Sequence, residues 1–182
     1  MERKKGRLAS VNPKVRQRIE EMMGKVTKHA KEIGNVTEDG LHLLMENTRF
    51  STELYKEHPD APISAGSEHL FAWNLEMTTK KNYIHGEIVA LGIVIVSYLQ
   101  QFYLSNSSLK ILRQALEDAQ VIYHPDDIGI TWQEIKETLM TVNGYNHKFR
   151  RFHTVFDYVT FTSDVLANLK DYLYKECSEC EV

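Results

Sequence analysis

The sequence predicts an all-α domain, a helical bundle of about seven helices. Apolar residues recur at the three- and four-residue interval in segment after segment, and capping residues and prolines punctuate those segments. No set of alternating segments is large enough for a sheet, and no glycine-rich nucleotide loop is present. At 182 residues and 42% hydrophobic, the chain can bury one substantial core. The expected organisation is a single domain over 1–182, with a basic arm over 1–10 and a frayed tail over 177–182.

Asn12-Pro13 opens the first helical pattern, with proline suited to a first-turn position and Val15, Ile19, Met22, Met23 and Val26 at helical spacing. It should stop near Gly34-Asn35, residues that suit a C-terminal cap. Thr37 ahead of Glu38 and Asp39 restarts a helix, because its hydroxyl satisfies a free amide and the acids complement the dipole. That helix carries Leu41, Leu44, Met45 and Thr48 and should run to about Lys56. "HPDAPIS" holds two of the four prolines and reads as a turn.

Two further helices are expected over about 67–77 and 85–104, joined by the polar "TTKKNY". The second is apolar on nearly every side, which marks the centre of a helical domain. "SNSSLKILRQALEDA" follows with serine caps and a Leu109, Leu112, Ala115, Leu116 face. "HPDDIGITWQEIKETLMTV" reads as a turn and then a helix capped at Thr131. "GYNHKFRRFHTVFDYVTF" alternates aromatic and basic residues and suggests a short extended segment, with room for one hairpin. A last helix begins near Thr162 or Ser163 and carries Val165, Leu166, Leu169 and Leu173.

A net charge of −3, from 22 basic and 25 acidic residues, gives no overall drive toward nucleic-acid phosphates. The longest apolar stretch, 84–104, is interrupted by His85, Glu87, Gln100 and Gln101 and lacks the flanks of a signal or membrane span. No nucleic-acid or membrane partner is therefore expected. The two cysteines form "CSEC", Cys177 and Cys180, with no second pair to complete a zinc site. Free thiols and a cytoplasmic location follow as expectations.

His69 and His85 each stand at the mouth of an apolar helical run, sixteen residues apart. That separation is too long for two ligands on one helix face, so the imidazoles can meet only between neighbouring helices. Gly86, directly after His85, permits close backbone or ligand approach. Taken alone, a histidine near a helix terminus is most often a capped or packed residue.

"PISAGSEHLFAWNLEM" followed by "IHGEIVALGIVIVSYL" resembles the metal-binding signature in the C-terminal domain of the iron-containing alcohol dehydrogenase superfamily, and particularly its glycerol-1-phosphate dehydrogenase branch. The helical rhythm of "DDIGITWQEIKETLM" and the arginine-bearing "RRFHTVFD" extend the resemblance over roughly residues 35 to 175. The fold it implies is the dehydroquinate synthase-like C-terminal helical bundle. It further implies that His69 and His85 are ligands of a divalent metal, zinc or iron, that polarises a substrate hydroxyl while hydride passes to NAD or NADP. Glu68 and Glu87 become candidates to take the second ring N–H of those imidazoles. Lys148, Arg150 and Arg151 are candidates to attract a substrate phosphate, although the plainer reading of them is a solvated loop.

Three features depart from that family. The α/β domain that supplies its dinucleotide site has no counterpart in these residues, so hydride transfer should need a separate nucleotide-binding domain or subunit. The family's third metal ligand is an aspartate upstream of the histidines, and residues 1–34 contain none. His58, in a proline-bounded stretch, could be an extra ligand or a surface histidine. The expected function is thus the metal- and substrate-binding half of an NAD(P)-dependent polyol or polyol-phosphate dehydrogenase. A 3-dehydroquinate synthase-like domain and a non-catalytic, self-associating helical module with a degenerate metal site are the alternatives.

Overall fold

The computed structural model describes residues 13–58, 65–104, 109–151 and 153–174. Among them lie nine α-helices and no strand: α1 Pro13–Lys28, α2 Ala30–Gly34, α3 Glu38–Glu57, α4 Ser67–Thr79, α5 His85–Leu104, α6 Leu109–Asp118, α7 Pro125–Ile128, α8 Trp132–Phe149 and α9 Ser163–Tyr174. A single 3-10 turn, Val155–Asp157, interrupts the run between α8 and α9. The protein is all-α. The basic arm, the cysteine tail, most of the proline turn and the serine caps ahead of α6 fall outside the described residues.

The chain divides into two compact units, one built from α1 to α3 and nearly all of α6, the other from α4, α5 and α7 to α9. In the first, α3 packs against α1 and α2, and Val15, Ala30, Leu43 and Leu54 are buried. Thr37 caps α3, its hydroxyl accepting from the Gly40 amide at 3.1 Å. The first expected helix is two. It breaks at His29, whose backbone turns out of helical geometry at φ −108° and ψ 26°. Gly34 does not adopt the left-handed cap conformation, which falls to Val36 at φ 55°. The glycine serves a close approach: a Cβ there would stand 2.5 Å from the Asp118 carbonyl oxygen.

In the second unit α4 packs on both α5 and α8. Ile88, Leu91, Ile95 and Leu99 of α5 are fully buried, as are Leu70, Phe71 and Leu75 of α4. By length and mean hydropathy, 1.3 from His85 to Tyr103, α5 could cross a bilayer; here more than half of that stretch is buried inside the protein. Asn74 is buried between α4 and α8, its amide donating to the Thr138 carbonyl at 2.8 Å and the Thr141 hydroxyl at 3.0 Å.

The start of α8 is fixed by a capping box, in which Thr131 and Glu134 satisfy each other's amides. Glu134 also meets Lys81 at 2.6 Å, which holds the α4–α5 connection against α8. Residues 144–149, read from sequence as the start of an extended segment, are instead the last turns of α8. Their helical phase wins because Val142 and Asn146 continue the buried stripe of Ile135 and Leu139, and because Tyr145 and Phe149 stack at 5.0 Å one turn apart. The stretch read as a turn before Thr131 holds the one-turn α7, closed by Gly129 at φ 76°.

Candidate metal centre

Helix α4 presents His69, Trp73 and Glu76 at positions i, i+4 and i+7, one face of a 3.6-residue repeat. Its other face is the buried one, so this stripe is what remains accessible. The helix's first turn is pressed onto α5 at Gly92, where an added Cβ would lie 2.7 Å from the Glu68 carbonyl oxygen. Gly86 serves no such purpose, since nothing lies within 4 Å of a Cβ there. The backbone approach beside the site is therefore made by a glycine two turns further along α5.

The two imidazoles are brought together across the α4–α5 junction. Their ring centroids stand 5.6 Å apart with planes inclined at 52°. His69 Nδ1 lies 2.9 Å from Glu68 Oε1, and His85 Nδ1 lies 3.0 Å from Glu76 Oε1. Each ring thus has one nitrogen turned to a carboxylate, which fixes ring orientation and leaves Nε2 as the atom able to ligate. His69 is about one-quarter exposed and His85 nearly one-half, at 25% and 46% of their side chains. Solvent therefore reaches both.

The donor chemistry fits two positions of a divalent ion. Imidazoles sharing a tetrahedral ion at metal–nitrogen distances of about 2.0–2.1 Å stand with centroids roughly 5 Å apart, close to the spacing seen here. Among the described residues, no group of three or more His, Cys, Asp or Glu side chains is disposed to hold a metal. Two imidazoles come together here, with no third such group beside them among the described residues. His58 ends α3, its amide bonded to the Leu54 carbonyl at 2.9 Å.

Glu87 stands in the first turn of α5, and the carboxylate at His85 is that of Glu76, from the preceding helix. Residues two apart on a helix point about 200° from each other, so Glu87 projects away from the ring of His85. Neither Glu76 nor Trp73 was singled out from sequence. Their signal was the phase of α4 relative to His69, which a reading of adjacent residues does not use.

The three candidate cations lie where α8 ends. Lys148 sits in the last turn, its ammonium 4.9 Å from the centroid of the Phe149 ring. Arg151 takes the left-handed conformation, φ 61°, with its amide 2.7 Å from the Asn146 carbonyl. Arg150 differs from both: its guanidinium carbon lies 3.9 Å from the centroid of Trp73, whose ring is itself 5.5 Å from that of His69. One of the three cations is thus a single indole away from the histidine pair.

This geometry occurs in a chain similar to one class of enzyme, NAD(P)+-dependent dehydrogenases of glycerol 1-phosphate. The glycerol-1-phosphate dehydrogenase of Archaeoglobus fulgidus is 32% identical over 77 residues, 42% of this chain and 22% of that protein. That of Saccharolobus solfataricus is 30% identical over 116 residues, 62% of this chain and 32% of the relative. That of Aeropyrum pernix is 26% identical over 114 residues, 63% and 31% of the respective chains. The chain therefore spans about a fifth to a third of the length of the curated relatives it matches. No family model matches it.

Proposed function

We propose that this chain is the metal- and substrate-binding half of a glycerol-1-phosphate dehydrogenase-like enzyme, acting in the cytoplasm with a nucleotide-binding domain or subunit that supplies NAD(P). The observation that carries the reading is the pair of imidazoles, each with Nδ1 on a carboxylate and with no partner for Nε2 among the described residues, in a chain similar to dehydrogenases of that name. His69 and His85 would hold zinc or iron, and Glu68 and Glu76 would orient them. When bound, the ion supplies Lewis acidity toward the substrate hydroxyl, while the nicotinamide accepts hydride. The third ligand comes from the partner or from residues beyond those described. The relatives' names favour this over the dehydroquinate synthase-like alternative.

Cobalt or zinc titration of the purified chain should give one metal per chain, lost in His69→Ala and in His85→Ala. Mixing the metal-loaded chain with the nucleotide-binding half of a relative should restore metal-dependent oxidation of glycerol 1-phosphate. Absence of metal binding at every pH between 6 and 9 sinks the reading.

A second reading, a helical interaction module with a degenerate site, draws on α3. That helix exposes Leu41, Leu44 and Met45, the last to 72%, which is a surface suited to association. Concentration-dependent sedimentation without metal binding would favour it.

A further inference from the structure

We infer that Arg150, laid on the face of Trp73, forms an anion subsite that takes the phosphate of a small phosphate monoester, and that Trp73 is the residue positioning it beside the histidine pair. The identity of that ligand as a substrate rests on the dehydrogenase reading; the anion site itself does not.

The first support is the stacking distance. At 3.9 Å from the indole centroid the guanidinium is in full face contact, which restricts a flexible side chain and removes water from one side of it. Stacking leaves the in-plane N–H groups unused, and those form the two-pronged donor set that matches a phosphate. Among the described residues Arg150 makes no ion pair. A cation present only to complement the C-terminus of α8 has no need of an indole platform from another helix.

The second support is adjacency. Trp73 touches Arg150 with one part of its ring system and stands 5.5 Å from His69. The guanidinium and the His69 imidazole therefore both lie against one indole. In glycerol 1-phosphate only four bonds of roughly 1.5 Å each separate the secondary hydroxyl oxygen from phosphorus. A molecule of that length, held by a metal ion at one end and a guanidinium at the other, suits a site whose two ends lie against one indole. Lys148 and Arg151 lack any such tie to α4: the former lies against Phe149 of its own helix, the latter is held through its backbone.

The experiment uses the whole chain. It contains two tryptophans, so Trp132→Phe leaves Trp73 as the sole indole reporter. Inorganic phosphate and glycerol 1-phosphate should each change Trp73 emission saturably. Arg150→Gln should raise the half-saturating concentration at least about tenfold, the loss expected for a charge-assisted pair, with partial recovery in Arg150→Lys. Calorimetry should show phosphate binding kept in Trp73→Phe and lost in Trp73→Leu. ADP-ribose serves as the nucleotide arm.

A response to ADP-ribose with none to the monoesters overturns the inference, because the subsite would then belong to the cofactor. Equal losses in Lys148→Gln, Arg151→Gln and Arg150→Gln overturn it as well, since the surface would be merely cationic. Cobalt absorption read on the same samples separates the two ideas. Phosphate binding without cobalt binding supports the anion site and rejects the dehydrogenase reading; cobalt without phosphate rejects the anion site alone.

Discussion

A histidine ligates with one nitrogen and is aimed by the other, and both rings of this pair are aimed by carboxylates of α4. Glu76→Gln should therefore weaken cobalt affinity by about 10–100-fold, measured by competition with a chromophoric chelator, while Glu87→Gln should leave it unchanged. Equal effects of the two substitutions would show that net charge, not ring orientation, matters. The histidines were legible in the sequence because each stood inside a recognisable word. Glu76 was legible only through helix phase, seven residues on from His69. Arg150 could not be separated from Lys148 and Arg151 by sequence, since its distinction is a contact with Trp73, a residue far away in the chain.

Elements are held in place by a few tight points. Gly92 is one: Gly92→Ala puts a Cβ against the Glu68 backbone, and it should cost about 1–3 kcal/mol in urea unfolding while also weakening metal binding, because Glu68 and His69 move together. Val36 is another, a β-branched residue held at φ 55° and largely exposed. Val36→Gly should relieve about 1 kcal/mol of strain, partly offset by chain entropy, and raise the thermal midpoint. The Lys81–Glu134 pair fixes the α4–α5 connection, and its proton linkage has two arms. The bond to Lys81 is the main reason the Glu134 carboxyl titrates below its ordinary 4.5, so that stabilisation is present above that pH and fades as pH falls through the lowered value. The same bond is the main reason Lys81 titrates above its ordinary 10.5, so its part is present below that pH and is lost only as pH rises through the raised value. Between about 4.5 and 10.5 the pair is fully formed. Denaturant midpoints measured from pH 6 down to pH 3 should fall less steeply in Glu134→Gln than in the parent. Helix starts such as Thr37 and Thr131 were readable because caps are local chemistry; the extension of α8 through Gly144 was not, because it depends on Val142 and Asn146 finding the core.

For the molecule as a whole, the all-α class followed from periodicity, whereas the division into two compact units did not, since no composition shift marks it. A metal that binds only the folded chain must also stabilise it. At free zinc one hundred times the dissociation constant the gain is about 2.7 kcal/mol, visible as a raised melting temperature that His69→Ala abolishes. The face of α4 sets a further condition on the chain. His69, Trp73 and Glu76 meet their partners because of their phase around one axis, so deleting one residue between Trp73 and Glu76 would swing the carboxylate through about 100° while leaving every ligand type present. Homologous chains should accordingly tolerate substitutions along this helix far better than a single insertion or deletion, and a search that scores residue types without spacing would mistake a disabled site for an intact one.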